Sequence, residues 1–177
     1  LMDALQADEL DSGSIHDFGK DIIPGLVGRA KVMAHRFENS SVSRTGAYWR
    51  DVGTVDAYWE ANIDLVRVSP QLDLYDTDWP IWTYQRQLPA AKFVFNDGER
   101  RGYAVDSLVS AGCIVSGGEV NNSLLFTDSR VNSYSQVNDS LLLPHSSVGR
   151  NCRINKAVVG IRCHLPEGLV VGEDVEA

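Results

Sequence analysis

An aspartate in a glycine-bearing loop just before a helix is well placed to meet a metal ion or a phosphate, and Asp51 has that setting in Tyr48-Trp49-Arg50-Asp51-Val52-Gly53-Thr54. Magnesium favours one such carboxylate in company with substrate phosphates. The plainer reading is a solvated loop carboxylate or a cap. Asp17 and Phe18 offer a carboxylate for a sugar hydroxyl beside a ring for a sugar face, or, more plainly, a helix cap beside a core phenylalanine. The Trp49 ring has the same two readings, sugar contact or core. His145 and His164 both read as corner residues between short strands and are candidate general bases there, with a solvated turn histidine as the simpler account. Cys113, Cys152 and Cys163 show no paired spacing, which argues against zinc and fits small core residues in a reducing cytoplasm.

These residues need elements to hold them. Residues 1–8 read as the tail of a helix. Residues 15–27 read as a short helix that Asp17 caps and Pro24 bends or ends. Lys31 to Phe37 reads as a strand. Thr54 is a good N-cap for a helix whose face carries Val55, Tyr58, Trp59, Ile63 and Val66, ending before Ser69-Pro70. Alternating helix and strand points to an α/β domain whose earlier strands are not in this chain. Tyr75, Trp79, Trp82 and Tyr84, set among prolines, read as a linker packed against a neighbour, because aromatics so dense are costly in water.

From Leu108 onward the aliphatic residues repeat. Steps of six, six and five visit Leu108, Ile114, Val120; Leu125, Val131, Val137; Leu142, Val148, Ile154; and Val159, Leu165, Val171. Every one is Leu, Ile or Val. Three short strands per turn, each sending one aliphatic side chain to the axis, make a triangular coil of 17 residues whose stacking buries a continuous column. Small or turn-forming residues fall at the corners, as in Ser116-Gly117-Gly118 and Gly149-Arg150-Asn151. The fold class is therefore an α/β remnant followed by a left-handed parallel β-helix of about four coils. The domains are 1–72, a linker over 73–104, and the β-helix over 105–177.

Composition narrows the function. The chain has 177 residues, 44% hydrophobic and 23% charged, with net charge -8. That balance opposes nucleic acid or an anionic membrane as a partner through bulk charge, while leaving room for a phosphorylated substrate held by local cations. No apolar run approaches the roughly 18 residues of a membrane helix, and the first residues lack a signal-peptide pattern.

The quoted runs together resemble one family. His16-Asp17-Phe18-Gly19-Lys20-Asp21-Ile22-Ile23-Pro24, Tyr48 to Thr54, Asp73-Leu74-Tyr75-Asp76, Pro89-Ala90-Ala91-Lys92-Phe93-Val94, Leu141-Leu142-Leu143-Pro144 and Pro166-Glu167-Gly168 follow the order found in bacterial glucose-1-phosphate adenylyltransferases. The resemblance implies a Rossmann-like nucleotidyltransferase domain before the β-helix. It implies synthesis of ADP-glucose and pyrophosphate from ATP and glucose 1-phosphate with Mg2+, in glycogen synthesis, by a cytoplasmic homotetramer tuned by phosphorylated allosteric effectors. It places Asp51 at a catalytic magnesium position and Asp17, Phe18 and Trp49 around the glucose moiety. The family's glycine-rich nucleotide loop, first metal aspartate and Glu-Lys pair precede Leu1, so the chain reads as a C-terminal portion that is inactive alone. Where studied members carry a regulatory Glu and Arg, this sequence has His145 and Ile161, with Arg162 adjacent; His145, Arg153 and Arg162 are the candidate effector residues, and inhibition by AMP is expected to differ. The residues alone also admit a hexapeptide-repeat acyltransferase or a non-catalytic assembly module.

Overall fold

The computed structural model describes residues 1–35, 48–78 and 80–173. The chain divides into two compact units, Leu1–Glu38 and Asn39–Ala177.

In the first unit, α1 (Met2–Glu9) is the helical tail expected at the start. Asp17 then caps a π-helical turn over Phe18–Ile22, accepting from the backbone N–H of Gly19 at 2.7 Å and of Lys20 at 2.9 Å. The turn runs on into α2 (Ile23–Leu26). Pro24 does not end the helix. It sits in the first turn of α2, where a missing N–H costs nothing, while the preceding wide turn bonds Ile22 N–H back to the Asp17 carbonyl. Residues 31–35 form no strand, and the rest of the expected Lys31–Phe37 strand lies outside the described residues.

The second unit is built on the β-helix. Its three faces are parallel sheets. The first stacks Lys92–Val94, Ile114–Ser116, Arg130–Val131, Ser147–Val148 and His164–Leu165. The second stacks Tyr103–Val105, Glu119–Asn121, Gln136–Asn138, Arg153–Asn155 and Val170–Val171. The third stacks Leu108–Val109, Leu124–Leu125, Leu141–Leu142 and Val158–Val159. The helix is left-handed, as its repeat implies. It begins at Lys92, so the latter part of the expected 73–104 linker already belongs to the solenoid.

Ten of the twelve expected aliphatic positions stand in the expected columns. Leu125, Leu142 and Val159 stack, as do Val131, Val148 and Leu165, and Val120, Val137, Ile154 and Val171. Leu108 and Ile114 do not; the inward residues are Val109, in register with Leu125, and Val115, in register with Val131. The coil from Val109 to Leu125 is 16 residues long where later coils have 17, because Gly117 follows the corner at Gly112 by five positions, whereas Tyr134 follows Asp128 by six. Leu108 instead joins an outward column with Leu124, Leu141 and Val158. That column is covered by Tyr58, Trp59, Ile63 and Val66.

The corners explain how short strands can turn so tightly. Three columns of residues adopt left-handed backbone: Asp106, Asn122, Asp139 and Lys156; Gly112, Asp128, His145 and Arg162; and Gly117, Tyr134, Asn151 and Gly168. Only three of these twelve are glycines, so most corners carry a side chain at a cost of about 1 kcal/mol each. Small side chains knit adjacent coils. Ser107, Ser123 and Ser140 each accept through their hydroxyl from the backbone N–H one coil on. The cysteines occupy equivalent small-residue positions; Cys113 and Cys152 are buried, but Cys163 is exposed, so it is not a core residue.

α3 (Val55–Asp64) starts at Thr54, whose hydroxyl accepts from Ala57 N–H at 3.1 Å. Val55, expected on the packed face, is 71% exposed. Trp59 fastens the helix to the solenoid by donating its indole N–H to the Asp139 carbonyl at 2.7 Å, with the Lys156 ammonium 5.4 Å from the ring centre.

Candidate functional site

The Tyr48–Thr54 run ends at the N-terminus of α3, and its backbone is tied down on both sides of Asp51. After it, the Asp51 Oδ1 accepts from Gly53 N–H at 3.1 Å, a local turn that delivers the chain to the Thr54 cap. Before it, the Arg50 guanidinium donates to Gln71 Oε1 at 3.1 Å and lies 3.5 Å from Asp64 Oδ2. Asp64 is 2% exposed and is also held by Arg67 at 3.0 Å and by the Gln71 N–H at 3.1 Å. Asp51 itself is exposed, and Trp49 is 75% exposed, so neither is a core residue. Sequence reasoning passed over Arg50, Asp64 and Gln71. The available signal was a carboxylate inside the apolar stretch Ala61-Asn62-Ile63-Asp64-Leu65, which burial forces to find cations.

Asp17 and Phe18 belong to the first unit. Asp17 is the expected cap and lies in solvent, while Phe18 is 51% exposed rather than buried in a core. Leu5, Asp8, Glu9, His16, Phe18 and Ile22 border a shallow hollow there. His16, in left-handed backbone, sets its Nδ1 at 2.8 Å from Asp8 Oδ2, and Ser14 donates to the other Asp8 oxygen at 2.6 Å. The hydrogen bond to Asp8 holds the His16 imidazole above its usual range, and the bonds from Ser14 and His16 hold Asp8 below its own.

A third set of residues lies on the solenoid. A groove of about 450 Å³ is bordered by Tyr84, Arg86, Ser110, Thr127, Pro144 and His145. His145 is at a left-handed corner, its Nδ1 3.0 Å from Asp128 Oδ2. Arg162 is the next residue in that corner column, its N–H donating to the Pro144 carbonyl at 3.0 Å. Arg153 is not there: it stands on the second face and grips Glu173 at 2.6 and 3.0 Å. His164 is not at a corner either; it begins a strand, 2.7 Å from the Ser147 hydroxyl. Tyr75, Trp82 and Tyr84 are 78%, 91% and 85% exposed, so the expected packing of these aromatics is not supplied by the described residues, and Trp79 lies outside them.

Among the described residues no three His, Cys, Asp or Glu side chains gather as a metal cage. Asp51 fits magnesium as a single carboxylate contributor, since Mg2+ keeps waters and substrate oxygens for the rest of its shell.

Residues 1–67 match the nucleotidyl transferase family model, and residues 89–177 match the GlmU-like C-terminal hexapeptide model. A glucose-1-phosphate adenylyltransferase of Rhodospirillum rubrum is 63% identical over 98% of this chain and 42% of its own length. Those of Albidiferax ferrireducens and Methylococcus capsulatus are 59% and 56% identical, over 99% of this chain and 42% and 41% of theirs. The chain therefore spans about two fifths of the curated relatives it matches. With the coils of its solenoid matched throughout and a nucleotidyl transferase segment in front of them, the chain belongs to the GlmU-like C-terminal hexapeptide family.

Proposed function

We propose that this chain is part of a glucose-1-phosphate adenylyltransferase, which joins ATP and glucose 1-phosphate into ADP-glucose and pyrophosphate for glycogen synthesis. The observation that carries the reading is the identity of 52% or more, over nearly the whole chain, to proteins of that name. Those names describe adenylyl transfer, which favours this reading over an acyltransferase built on His145 or His164.

In the reaction a phosphate oxygen of the sugar phosphate attacks the α-phosphorus of ATP in line, forming the new P–O bond as the bond to the pyrophosphate oxygen breaks. Bound magnesium would supply positive charge at the phosphates. Asp51 would contribute a carboxylate oxygen to hold it, with one oxygen already oriented by Gly53 N–H. In the first unit Asp17 would accept from a glucose hydroxyl and the exposed Phe18 ring would meet a sugar face; in the second unit the exposed Trp49 ring is, by itself, a proposed sugar contact. This sequence carries no glycine-rich phosphate loop, so the 177-residue chain alone is proposed to be inactive. The whole protein is proposed to be a cytoplasmic homotetramer.

Phosphorylated effectors are proposed to bind at the corner groove. Arg86 borders it with His145, and Arg162 follows on the same corner column; a guanidinium fork suits phosphate oxygens. Arg153 is left out because Glu173 already neutralises it on another face.

The test is synthesis of ADP-glucose from ATP, glucose 1-phosphate and Mg2+ by the full-length protein, beside the 177-residue chain. Product from the full-length protein alone is expected. No product from a folded full-length protein overturns the activity, and product from the short chain overturns its proposed inactivity. Titration with AMP and sugar bisphosphates, repeated with Arg86→Ala and Arg162→Ala, tests the groove. Half-saturation that is unmoved in both variants removes the effector proposal.

A further inference from the structure

We infer that Asp64 and Arg50 are positioning residues for Asp51, forming a strut that connects the loop to the solenoid. The inference rests on the reading that Asp51 holds magnesium. Three observations carry it. Asp64 is a carboxylate buried to 2% exposure in a chain where most charges are solvated, and such burial demands a purpose and partners. Its partner Arg50 is the residue immediately before Asp51, and the second oxygen acceptor of that guanidinium, Gln71 Oε1, is itself fixed because the Gln71 N–H donates to Asp64. The helix that ends at Asp64 is seated on the β-helix through Trp59 and Ile63, the latter packed with Leu124 and Leu141. A rigid path therefore runs from the outward aliphatic column, through α3 and Asp64, to Arg50 and the Asp51 backbone. The local turn from Asp51 to Gly53 fixes the carboxylate relative to its own loop, whereas the strut fixes the loop relative to the domain. Outer partners of a metal-holding group commonly matter about tenfold or more to metal affinity.

Arg67 supplies the control. It touches the same Asp64 carboxylate at 3.0 Å, but it is mostly exposed and is distant in sequence from Asp51. A merely structural ion pair would move metal binding only as far as it moves thermal stability, for Arg50 and Arg67 alike. The strut makes only Arg50 matter to the metal.

The experiment uses the full-length protein and Mn2+ as the probe. Bound Mn2+ is counted by electron paramagnetic resonance in the presence of ADP-glucose, with thermal unfolding of the metal-free protein recorded in parallel. Arg50→Lys keeps charge but loses the guanidinium Nη2 that reaches both Gln71 and Asp64, and is expected to raise Mn2+ half-saturation about tenfold. Gln71→Ala, which removes the outer anchor of Arg50 without emptying the buried site, is expected to raise it less, in the same direction. Arg67→Ala is expected to leave it unchanged. If Asp51→Asn shifts Mn2+ binding but Arg50→Lys and Gln71→Ala do not, the strut is wrong while the metal reading stands. An equal shift from Arg67→Ala also overturns the strut, since the effect is then one of general stability. If Asp51→Asn leaves Mn2+ binding unmoved, the metal reading fails and the inference falls with it. Should Arg50→Lys fail to fold, Gln71→Ala against Arg67→Ala decides the matter alone.

Discussion

The solenoid and the stretches that carry the candidate chemistry solve opposite problems. On the solenoid axis Val120, Leu125, Val131, Val137, Leu142, Val148 and Ile154 have no exposure at all, and each is in register with an aliphatic neighbour one coil away. At the candidate sites Asp17, Phe18, Trp49 and Asp51 all lie in solvent, held by backbone bonds and by the residues beside them rather than by enclosure. Stability is thus spread over a repeated column, while the groups proposed to meet substrate are kept open and are aimed by neighbours. The difference ties burial in this chain to stability, with the buried charge of Asp64 as the exception that calls for cationic partners.

The strongest way to break the comparison is to open the column. Leu142→Ala removes a fully buried side chain with neighbours on both coils, and it should lower unfolding free energy by about 3 kcal/mol, read from denaturant titration of the protein. A loss below about 1 kcal/mol would show that the column relaxes freely and does not carry the fold. Asp51→Asn is the converse. It preserves shape and the acceptor for Gly53, so stability should change by less than about 0.5 kcal/mol, while turnover of the full-length enzyme should fall about a hundredfold. Unfolding curves and steady-state rates on the same preparation separate the two effects.

A smaller effect is expected at the corners. Arg162 holds left-handed backbone with φ 58° and is exposed. Arg162→Gly relieves a strain of about 1–2 kcal/mol but adds about 0.5–1 kcal/mol of chain entropy to the unfolded state, so a net gain of about 0.5 kcal/mol is expected. Loss of stability instead would mean that the side chain makes contacts worth more than the strain. The same variant would test whether effector response and corner stability are separable.

Much of the solenoid was legible because its repeat is enforced by packing: a residue off the axis by one position turns away from the column. Leu108 and Ile114 show the limit. Each is followed by another aliphatic residue, Val109 and Val115, so periodicity alone cannot choose between them, and the one-residue contraction between Gly112 and Gly117 decides it. The paired aliphatics Leu108-Val109, Leu124-Leu125, Leu141-Leu142 and Val158-Val159 did contain a further message, that this face is covered outside as well as inside. The site was less legible. Thr54 and Asp17 announce themselves as caps by residue type, and the Tyr48–Thr54 run by resemblance. The association of Arg50 with Asp64 spans fourteen residues and depends on how α3 is seated, which no local pattern records. Arg153 and His164 stand on strands rather than at the His145 corner, since nearness in sequence on a solenoid says little about which face a residue occupies.

The finest contrast between the regions is in their response to pH. The Val, Leu and Ile side chains of the aliphatic columns carry no ionisable group, whereas the turn before Asp17 is closed by the half-buried Asp8 and the exposed His16. The hydrogen bond to Asp8 raises the His16 pKa in the folded protein. A raised histidine pKa means that folding favours the protonated form, so its contribution is fully present below the unfolded pKa and fades as pH rises through the folded one. Asp8 is shifted the other way, so its contribution is present above its unfolded pKa and is lost as pH falls through the folded, lowered value. The turn is therefore tightest between the lowered pKa of Asp8 and the raised pKa of His16, and it should loosen as pH rises through the raised pKa of His16. The exposure of the His16 ring, 58%, keeps the effect on global stability small. Titration of the His16 imidazole by nuclear magnetic resonance should give a pKa above that of a free histidine, falling toward the ordinary value in Asp8→Asn. Amide signals of Gly13 to Gly19 should shift with the same midpoint, while those of Val137 and Leu142 stay fixed. A His16 midpoint unchanged by Asp8→Asn would show that the ion pair does not form in solution, and the turn ahead of Asp17 would then be held by the Ser14 and Asp17 caps alone.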